Sequence, residues 1–152
     1  MDSRSYLLEA LKLAQDAALR GEVPVGALVV KDGVVIGRGS NTREADQDPT
    51  GHAEMTAIHE ACRNLGSWRL VDCELYVTLE PCPMCLAACQ QARIRRVVYG
   101  AKDEKGGAIC LGFHVHDHPR LNHRFAVEHE PVEECGEVLR EFFRKLRRRP
   151  ED

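Results

Sequence analysis

Four side chains in two short segments have the chemistry to bind a metal ion and move a proton. The first segment reads H-A-E, with His52 and Glu54 at its ends, and the second reads P-C-P-M-C, with Cys82 and Cys85 as its thiols. Since helical residues three apart share a face, both thiols can point the same way if a helix begins at Pro83. One imidazole and two thiolates suit tetrahedral zinc, and three protein ligands leave a fourth position for water. The spacing therefore predicts a catalytic zinc site, with Glu54 beside the metal as a proton shuttle.

Two other interpretations of the cysteines stay open at this level. A C-x-x-C pair also serves as a redox site, although thioredoxin-like motifs lack a partner His-x-Glu. Cys89 could complete a closed structural zinc site, although a lone cysteine on an apolar helix face more often fills the core. The combination of the two segments, each at a predicted helix start where the helix dipole favours thiolates, favours the catalytic site.

The composition of the chain bounds its class. Its 152 residues, 43% apolar and 30% charged, are typical of one globular domain, residues 1–152, and exclude a disordered or collagen-like chain. Seven cysteines, an odd count, argue against a closed disulfide framework. The net charge of −3 leaves room only for a local basic patch. With no apolar run of about 18 residues and no secretory pattern at the N-terminus, we expect a cytoplasmic protein with no membrane partner.

The elements that must position these groups alternate between helices and strands. Ser3 is the expected N-cap of a first amphipathic helix, which ends at Gly21. Strands at 25–30 and 34–36 flank Asp32-Gly33, a hairpin signal because the turn needs positive φ. Further helices are predicted at 52–65, 83–93 and 132–148, further strands at 75–79, 97–99 and 125–128, and loops at 40–49 and 102–124. This order predicts a layered α/β domain whose sheet starts with an antiparallel hairpin and continues through crossovers.

The H-x-E and P-C-x-x-C segments match the known signature of zinc nucleobase deaminases, and the chain resembles the cytidine deaminase superfamily. Within it, the sequence is similar to the tRNA-specific adenosine deaminases from about Ser5 to Arg148. The segments that carry this resemblance are E-V-P-V-G-A at 22–27, D-P-T-G-H-A-E at 48–54, Y-V-T-L-E-P-C-P-M-C at 76–85, G-A at 107–108, N-H-R at 122–124 and F-F-R at 142–144. The resemblance implies a three-layer α/β/α fold around a mixed five-stranded sheet.

The same resemblance implies a function and its residues. The expected reaction is hydrolytic conversion of adenosine to inosine at the wobble position, with a tRNA anticodon stem-loop as partner and a homodimer as the assembly. One Zn²⁺ per subunit is expected on His52, Cys82 and Cys85. Glu54 is expected to take the water proton as general base and then to protonate, in separate transfers, a ring nitrogen and the leaving amine. The expected substrate contacts are Asn41, Val25, Leu79, Glu80, Asp103, Lys105 and Asn122.

Three departures from the family pattern keep a second enzyme in view. Gly51 stands where the family usually has alanine, and I-C-L-G at 109–112 replaces a small-residue stretch of the RNA-facing loop. Leu86, which follows the second cysteine, is closer to guanine deaminases. A free-base deaminase for guanine or a related amino-heterocycle is therefore the first alternative, although the chain lacks the terminal aromatic of those enzymes. A catalytically silent RNA-binding subunit is the second alternative, and Glu54 argues against it.

Two charged or titratable segments remain. The C-terminal helix, about 132–149, carries a predicted apolar face of Cys135, Val138, Leu139, Phe142 and Leu146. Its last turns are basic, and two explanations stay open: cations that complement the helix dipole, or phosphate contacts. The basic residues are Arg140, Arg144, Lys145, Arg147, Arg148 and Arg149. The alternating His114, His116 and His118 are interpreted as a solvated or RNA-facing loop rather than a second metal site.

Overall fold

A five-stranded mixed sheet organises the residues that the structure, a computed structural model, describes, which are 1–148. The strands are β1 (Gly26–Lys31), β2 (Val34–Ser40), β3 (Cys73–Leu79), β4 (Arg96–Ala101) and β5 (Ala126–His129). The helices are α1 (Ser3–Leu19), α2 (Arg43–Asp46), α3 (Ala53–Leu65), α4 (Pro83–Ala92), α5 (Ala108–Leu111) and α6 (Glu133–Arg147). The strand order is β2-β1-β3-β4-β5, antiparallel from β2 to β3 and parallel from β3 to β5. None of the helices within 1–148 has the length and apolar character that crossing a membrane requires.

Helices cover both faces of the sheet, so the predicted three-layer α/β/α class is confirmed. Ala27 and Val29 of β1 belong to the apolar cluster that contains residues of α3 and α4. Leu28 and Val30 belong to the opposite cluster, with α1 and the start of α6. This alternation follows from the two-residue repeat of a strand, which sends successive side chains to opposite faces.

Glycine lets α3 lie directly on the sheet. A Cβ on Gly37 or Gly39 of β2 would collide with the backbone carbonyl oxygens of Ala57 and Ala53 in α3. The metal-binding helix is therefore packed backbone against backbone on β2, and any side chain at these two positions would push it away.

The ends of the strands explain where the site lies. Since β1 runs antiparallel to both β2 and β3, the end of β2, the start of β1 and the end of β3 share one edge of the sheet. The parallel strand β4 also ends there, with Leu79 opposite Ala101. Open α/β sheets bind ligands beyond the carboxyl ends of their parallel strands. Helices α3 and α4 both begin at this edge.

The turn between β1 and β2 and the start of α1 compare differently with the sequence predictions. The Asp32-Gly33 hairpin is confirmed, with φ of +50° and +76°. The prediction of Ser3 as N-cap is wrong, because Asp2 accepts the backbone N–H of Ser5 at 2.9 Å and Ser3 is already helical. Both residue types can cap a helix, and the spacing alone did not separate them.

The predicted loops at 40–49 and 102–124 contain the short helices α2 and α5. The predicted C-terminal helix buries only part of its apolar face. Cys135 is fully buried and Val138 packs against the α1 cluster, whereas Leu146 is 47% exposed. The apolar face therefore holds for the first half of α6. The last residue of the predicted basic set, Arg149, lies outside the described part of the chain.

Candidate active site

The starts of two helices bring the predicted metal ligands together. His52 is the N-cap residue of α3, and Cys82 is the N-cap residue of α4, with Cys85 in the first turn. The Nδ1 atom of His52 lies 3.6 Å from the Sγ atom of Cys82 and 3.4 Å from that of Cys85. The three ligand atoms all lie within 4.8 Å of one another. Within residues 1–148, this is the one group of three such side chains that could hold a metal ion.

The donor set fits an open site rather than a closed one. Cys89, the candidate fourth ligand, is fully buried one turn further along α4 and is not part of the ligand group. It packs instead in the apolar cluster between the helices and the sheet. One nitrogen and two sulfur donors are therefore gathered, two of their residues, His52 and Cys82, line the cavity, and no fourth ligand joins them within residues 1–148.

Electrostatics favour a thiolate at this point. A hydrogen bond from the Cys85 thiol lowers the pKa of Cys82 to about 4, and sharing that proton raises the pKa of Cys85. The hydrogen bond with Cys82 raises the pKa of His52. Two sulfurs and an imidazole thus hold shared protons at close range, an arrangement that a divalent cation would replace, since zinc ligands bind in their deprotonated form.

Glu54 lies beside these ligands on the first turn of α3. Its side chain is buried, with an exposed fraction of 4%. Burial raises the pKa of its carboxyl group to about 7. A carboxyl group that titrates near neutral pH can both accept and return a proton, which is the property that a general acid–base residue needs.

A cavity of about 930 Å³ opens onto this group. We call His52, Glu54 and Cys82, which line it, together with the fully buried Cys85 beside them, the metal end of the cavity. The rim consists of the other lining residues, which are Val23, Val25, Asn41, Arg43, Ala53, Leu79, Glu80, Ala101, Lys102, Asp103, Lys105, Gly136, Leu139, Arg140, Phe143, Arg144 and Arg147. The rim therefore combines apolar residues at the strand ends with lysine and arginine side chains, which we call its cationic edge.

The structure brings six of the seven predicted substrate contacts to the rim. They are Val25, Asn41, Leu79, Glu80, Asp103 and Lys105. Asn122 does not line the cavity of this chain. Its Oδ1 accepts a hydrogen bond from Gln90 Nε2 at 3.5 Å, at the far end of α4 from Cys82. The long loop after α5 carries Asn122 along α4 to that end, which its spacing in the sequence did not reveal.

Sequence reasoning missed part of the rim. Arg43 and Lys102 line it from the positions just after β2 and β4. Arg43 comes two residues after the predicted contact Asn41, and Lys102 directly precedes the predicted contact Asp103. Their position after the end of a strand was therefore the signal that could have indicated both. The α6 residues Arg140 and Arg144, for which the sequence leaves a helix-dipole role and a phosphate role open, also line the cavity.

The three departures from the family pattern lie close to the site. Gly51 is tightly enclosed, because a Cβ there would lie 3.0 Å from Thr42 Oγ1 and 3.1 Å from the carbonyl oxygen of Asp48. Leu86 is fully buried and packs in the core rather than on the rim. Residues 109–112 form most of α5 and its C-cap.

The histidine loop lies apart from the metal end. The rings of His114 and His116 have centroids 5.5 Å apart, and the buried Nδ1 of His116 has no hydrogen-bond partner within the described chain. Burial lowers the pKa of His116. No third ligand joins this pair among residues 1–148, so the second metal site, the less favoured interpretation, gains no support.

Comparison with known proteins assigns the class. The MafB19-like deaminase family matches residues 1–147. A protein of Aquifex aeolicus called tRNA-specific adenosine deaminase is 50% identical over 147 residues, which are 97% of this chain and 97% of the relative. The chain therefore belongs to the MafB19-like deaminase family, and it is a hydrolytic deaminase.

Solved structures agree on the fold and separate two branches of that class. A structure from a study of A-to-I editing by tRNA:A34 deaminases at the wobble position of transfer RNA has a TM-score of 0.81 and 43% identity, covering 90% of this chain and 99% of that one. Guanine deaminase from Bacillus subtilis has a TM-score of 0.66 and 33% identity, covering 99% of each chain. The resemblance to tRNA-specific adenosine deaminases stated from the sequence is confirmed.

Proposed function

We propose that the protein is a zinc-dependent deaminase that converts adenosine to inosine at the wobble position of a tRNA anticodon loop. The observation that carries this proposal is the buried carboxyl group of Glu54 beside three metal-ligating side chains, at the inner end of a cavity with a cationic edge. The relatives named as tRNA-specific adenosine deaminases favour the adenosine of a tRNA as the substrate.

His52, Cys82 and Cys85 would hold one zinc ion per subunit. One nitrogen and two sulfur donors suit zinc better than the oxygen-preferring magnesium or calcium. When bound, zinc supplies Lewis-acid activation of water at neutral pH. Helices α3 and α4 both direct their positive ends at this point, which stabilises the negative charge of the thiolates.

Glu54 is the proposed catalytic residue. Its carboxylate accepts a proton from the attacking water and donates it to the ring nitrogen. It then takes the hydroxyl proton of the tetrahedral adduct at C6 and passes it to the amino group, which leaves as ammonia. Addition at C6 of the purine and loss of ammonia replace the amino group by an oxygen, which gives inosine. Its raised pKa places both protonation states within reach at neutral pH.

The rim would bind and orient the base. The Asn41 side chain accepts the backbone N–H of Arg43 at 3.1 Å, which fixes the amide while leaving its NH₂ group for a ligand. Val25 and Leu79 supply apolar walls, and the backbone at Leu79 and Glu80 supplies hydrogen bonds to the base. A base flipped out of a single-stranded loop reaches such a pocket without the cost of opening a duplex.

The cationic edge would hold the phosphates that flank the flipped nucleotide. Lys105 at one side and Arg140 and Arg144 of α6 at the other line the same cavity. An RNA loop brings several phosphates to such an edge, whereas a free purine base brings none. The position of these residues therefore favours the phosphate role over the helix-dipole explanation of the basic helix end.

The remaining expectations belong to the same proposal. We propose that residues 1–152 act as one deaminase domain with a basic C-terminal helix, that the working unit is a homodimer, and that the enzyme is cytoplasmic. Asn122, which is away from the cavity of its own chain, stays a predicted substrate contact. Sedimentation of the purified protein tests the dimer directly.

Substrate competition tests the proposal. The purified, zinc-loaded protein is given a tRNA-Arg anticodon stem-loop in one reaction and free guanine, cytosine or adenosine in others, and ammonia and inosine are measured. Inosine in the stem-loop, with little turnover of the free compounds, is the expected result. Turnover of free guanine without inosine in RNA would overturn it in favour of the guanine deaminase branch. Zinc-loaded protein that binds RNA but turns over nothing would indicate the silent RNA-binding subunit.

A further inference from the structure

The side chains of two buried glutamates, Glu80 on the rim and Glu22 next to the rim residue Val23, have no role in the chemistry proposed above. The exposed fraction is 2% for Glu22 and 2% for Glu80. Neither carboxylate forms an ion pair with a lysine, arginine or histidine within residues 1–148. Burying an unpaired carboxylate is costly unless hydrogen bonds satisfy it, so each must have found other partners.

Glu22 finds its partners in the loop after β2. Its Oε1 accepts the backbone N–H of Glu44 at 3.0 Å, and its Oε2 accepts that of Ala45 at 2.8 Å. These are free N–H groups of the first turn of α2, whose own N-cap residue, Thr42, makes no side-chain cap. A residue 22 positions earlier in the chain therefore caps this helix.

Glu80 does the same for the loop after β4. Its Oε2 accepts the backbone N–H of Cys110 at 3.0 Å, in the first turn of α5, whose N-cap residue Gly107 offers no side chain. Its Oε1 accepts the N–H of Asp103 at 3.2 Å and the thiol of Cys110 at 3.0 Å. A Cβ on Gly107 would collide with this carboxylate, so the glycine makes room for it.

The two anchored loops are the two that carry polar groups into the cavity. The loop held by Glu22 presents Asn41 and Arg43, and the loop held by Glu80 presents Asp103 and Lys105. Both loops leave the same edge of the sheet, one after β2 and one after β4. The carboxylate of each glutamate thus acts on the substrate through the loop that it holds.

We propose that Glu22 and Glu80 are positioning residues that fix the two loops on either side of the cavity and thereby set how tightly the RNA substrate is bound. The inference rests on the proposed function for the identity of the substrate. The anchoring itself rests on the hydrogen bonds of the two carboxylates. Replacing either carboxylate by an amide keeps the side-chain size but turns one acceptor into a donor that faces an N–H group.

Hydrogen exchange measures the anchoring without any substrate. In Glu22→Gln, the amides of Glu44 and Ala45 should exchange faster by about tenfold or more, with no change near Asp103. In Glu80→Gln, the amides of Asp103 and Cys110 should respond instead. Unchanged exchange in both variants, or a uniform rise across the whole chain, would overturn the anchoring.

Kinetics and binding measure the consequence. For a tRNA anticodon stem-loop, each variant should raise KM and the Kd of the RNA by about tenfold. The kcat should fall much less, and the zinc content should stay at the wild-type value. Equal losses in kcat and kcat/KM with unchanged Kd would reject a positioning role, as would loss of zinc.

Glu74→Gln is the matched control. Glu74 lies at the opposite end of the strand that leads to Glu80, where its carboxylate pairs with Arg96 at 2.8 Å. Its loss should lower stability without a selective change in KM. If either amide variant fails to fold, Glu22→Asp replaces the first and Gly107→Ala, which displaces the Glu80 carboxylate, replaces the second. If the wild-type protein neither binds nor deaminates the stem-loop, the proposed function fails, and the exchange measurements still decide the anchoring.

Discussion

The metal end of the cavity takes its four groups from two helix starts, whereas the rim takes its groups from six separate stretches of the chain. His52 and Glu54 stand two residues apart, and Cys82 and Cys85 stand three apart. The rim combines the segment before β1, the segment after β2, the first residue of α3, the ends of β3 and β4 with the residues that follow them, and one side of α6. The chemistry is therefore encoded locally, and the choice of substrate is encoded by how distant segments meet.

This difference predicts that mutations in the two regions impair different properties of the protein. A change at the metal end should remove turnover of every substrate. A change at the rim should leave zinc bound and alter the affinity for RNA. Substitutions at single residues of each region test this division.

Removing a metal ligand should have the largest effect. In Cys85→Ala, one of three ligands is lost, so zinc content should fall from one ion per chain toward zero and activity should disappear. Metal analysis of the purified protein, with and without chelator, provides the measurement. Cys89→Ala is the control, because Cys89 is buried outside the ligand group and its loss should leave zinc in place. Zinc loss in that control would restore the closed-site interpretation.

Removing the proton shuttle should come next. Glu54→Ala should lower kcat by about 10²–10⁴-fold or more, the usual contribution of general acid–base catalysis, while zinc stays bound. Inosine formation in the stem-loop and metal content are measured on the same sample. Retained turnover with a full metal load would remove Glu54 from the catalytic role.

The buried state of Glu54 predicts a dependence of stability on pH in the zinc-free protein. Its pKa is about 7 in the folded chain and has a reference value of 4.5, so the folded state binds the extra proton between these values. The stabilisation is complete below about pH 4.5 and is lost as the pH rises through about 7. Relative to Glu54→Gln, the wild type should lose about 1–3 kcal/mol of unfolding free energy across this interval in urea titrations. A constant difference would place the carboxyl group in a wetter environment than the structure shows.

Two predicted substrate contacts, Asn41 on the rim and Asn122 away from the cavity of its own chain, test which residues bind the substrate. Asn41→Ala removes a rim amide and should raise KM for the stem-loop by about tenfold, the value of one or two hydrogen bonds. Since Asn122 stays a predicted substrate contact, Asn122→Ala should also raise KM, and a change of less than about twofold would remove it from the substrate contacts. Parallel steady-state assays give both values. A large effect at Asn122 would mean that the long loop reaches the substrate of another subunit.

Charge at the edge of the rim should have the smallest effect. Arg144→Ala should weaken stem-loop binding a few-fold and reduce the slope of log Kd against log salt by about 0.7, the contribution of one phosphate contact to a single strand. Lys145→Ala is the matched control, since Lys145 is exposed on the same helix and does not line the cavity. Equal slopes in the two variants would assign the basic helix end to the helix dipole.

Much of the fold followed from local patterns. The Asp32-Gly33 turn needs positive φ at both residues, and the structure has it there. The order of strands and helices followed from the periodicity of apolar residues, because these residues recur at different intervals in strands and in amphipathic helices. The short helices α2 and α5 did not follow, because their capping groups, Glu22 and Glu80, lie far from them in the chain.

The reacting groups of this protein follow from its local sequence. His52, Glu54, Cys82 and Cys85 lie within two short segments at helix starts, so spacing alone brings the reacting groups of each segment close together, and the family signature indicates their roles. The rim depends instead on the tertiary fold. Strand directions put the ends of β2, β3 and β4 on one edge, α6 closes over them, and the long loop carries Asn122 away from the cavity. The physical reason is that the spacing of residues in the sequence fixes relative side-chain positions only within about one helical turn. The walls of a cavity depend instead on packing between segments that are far apart in the sequence.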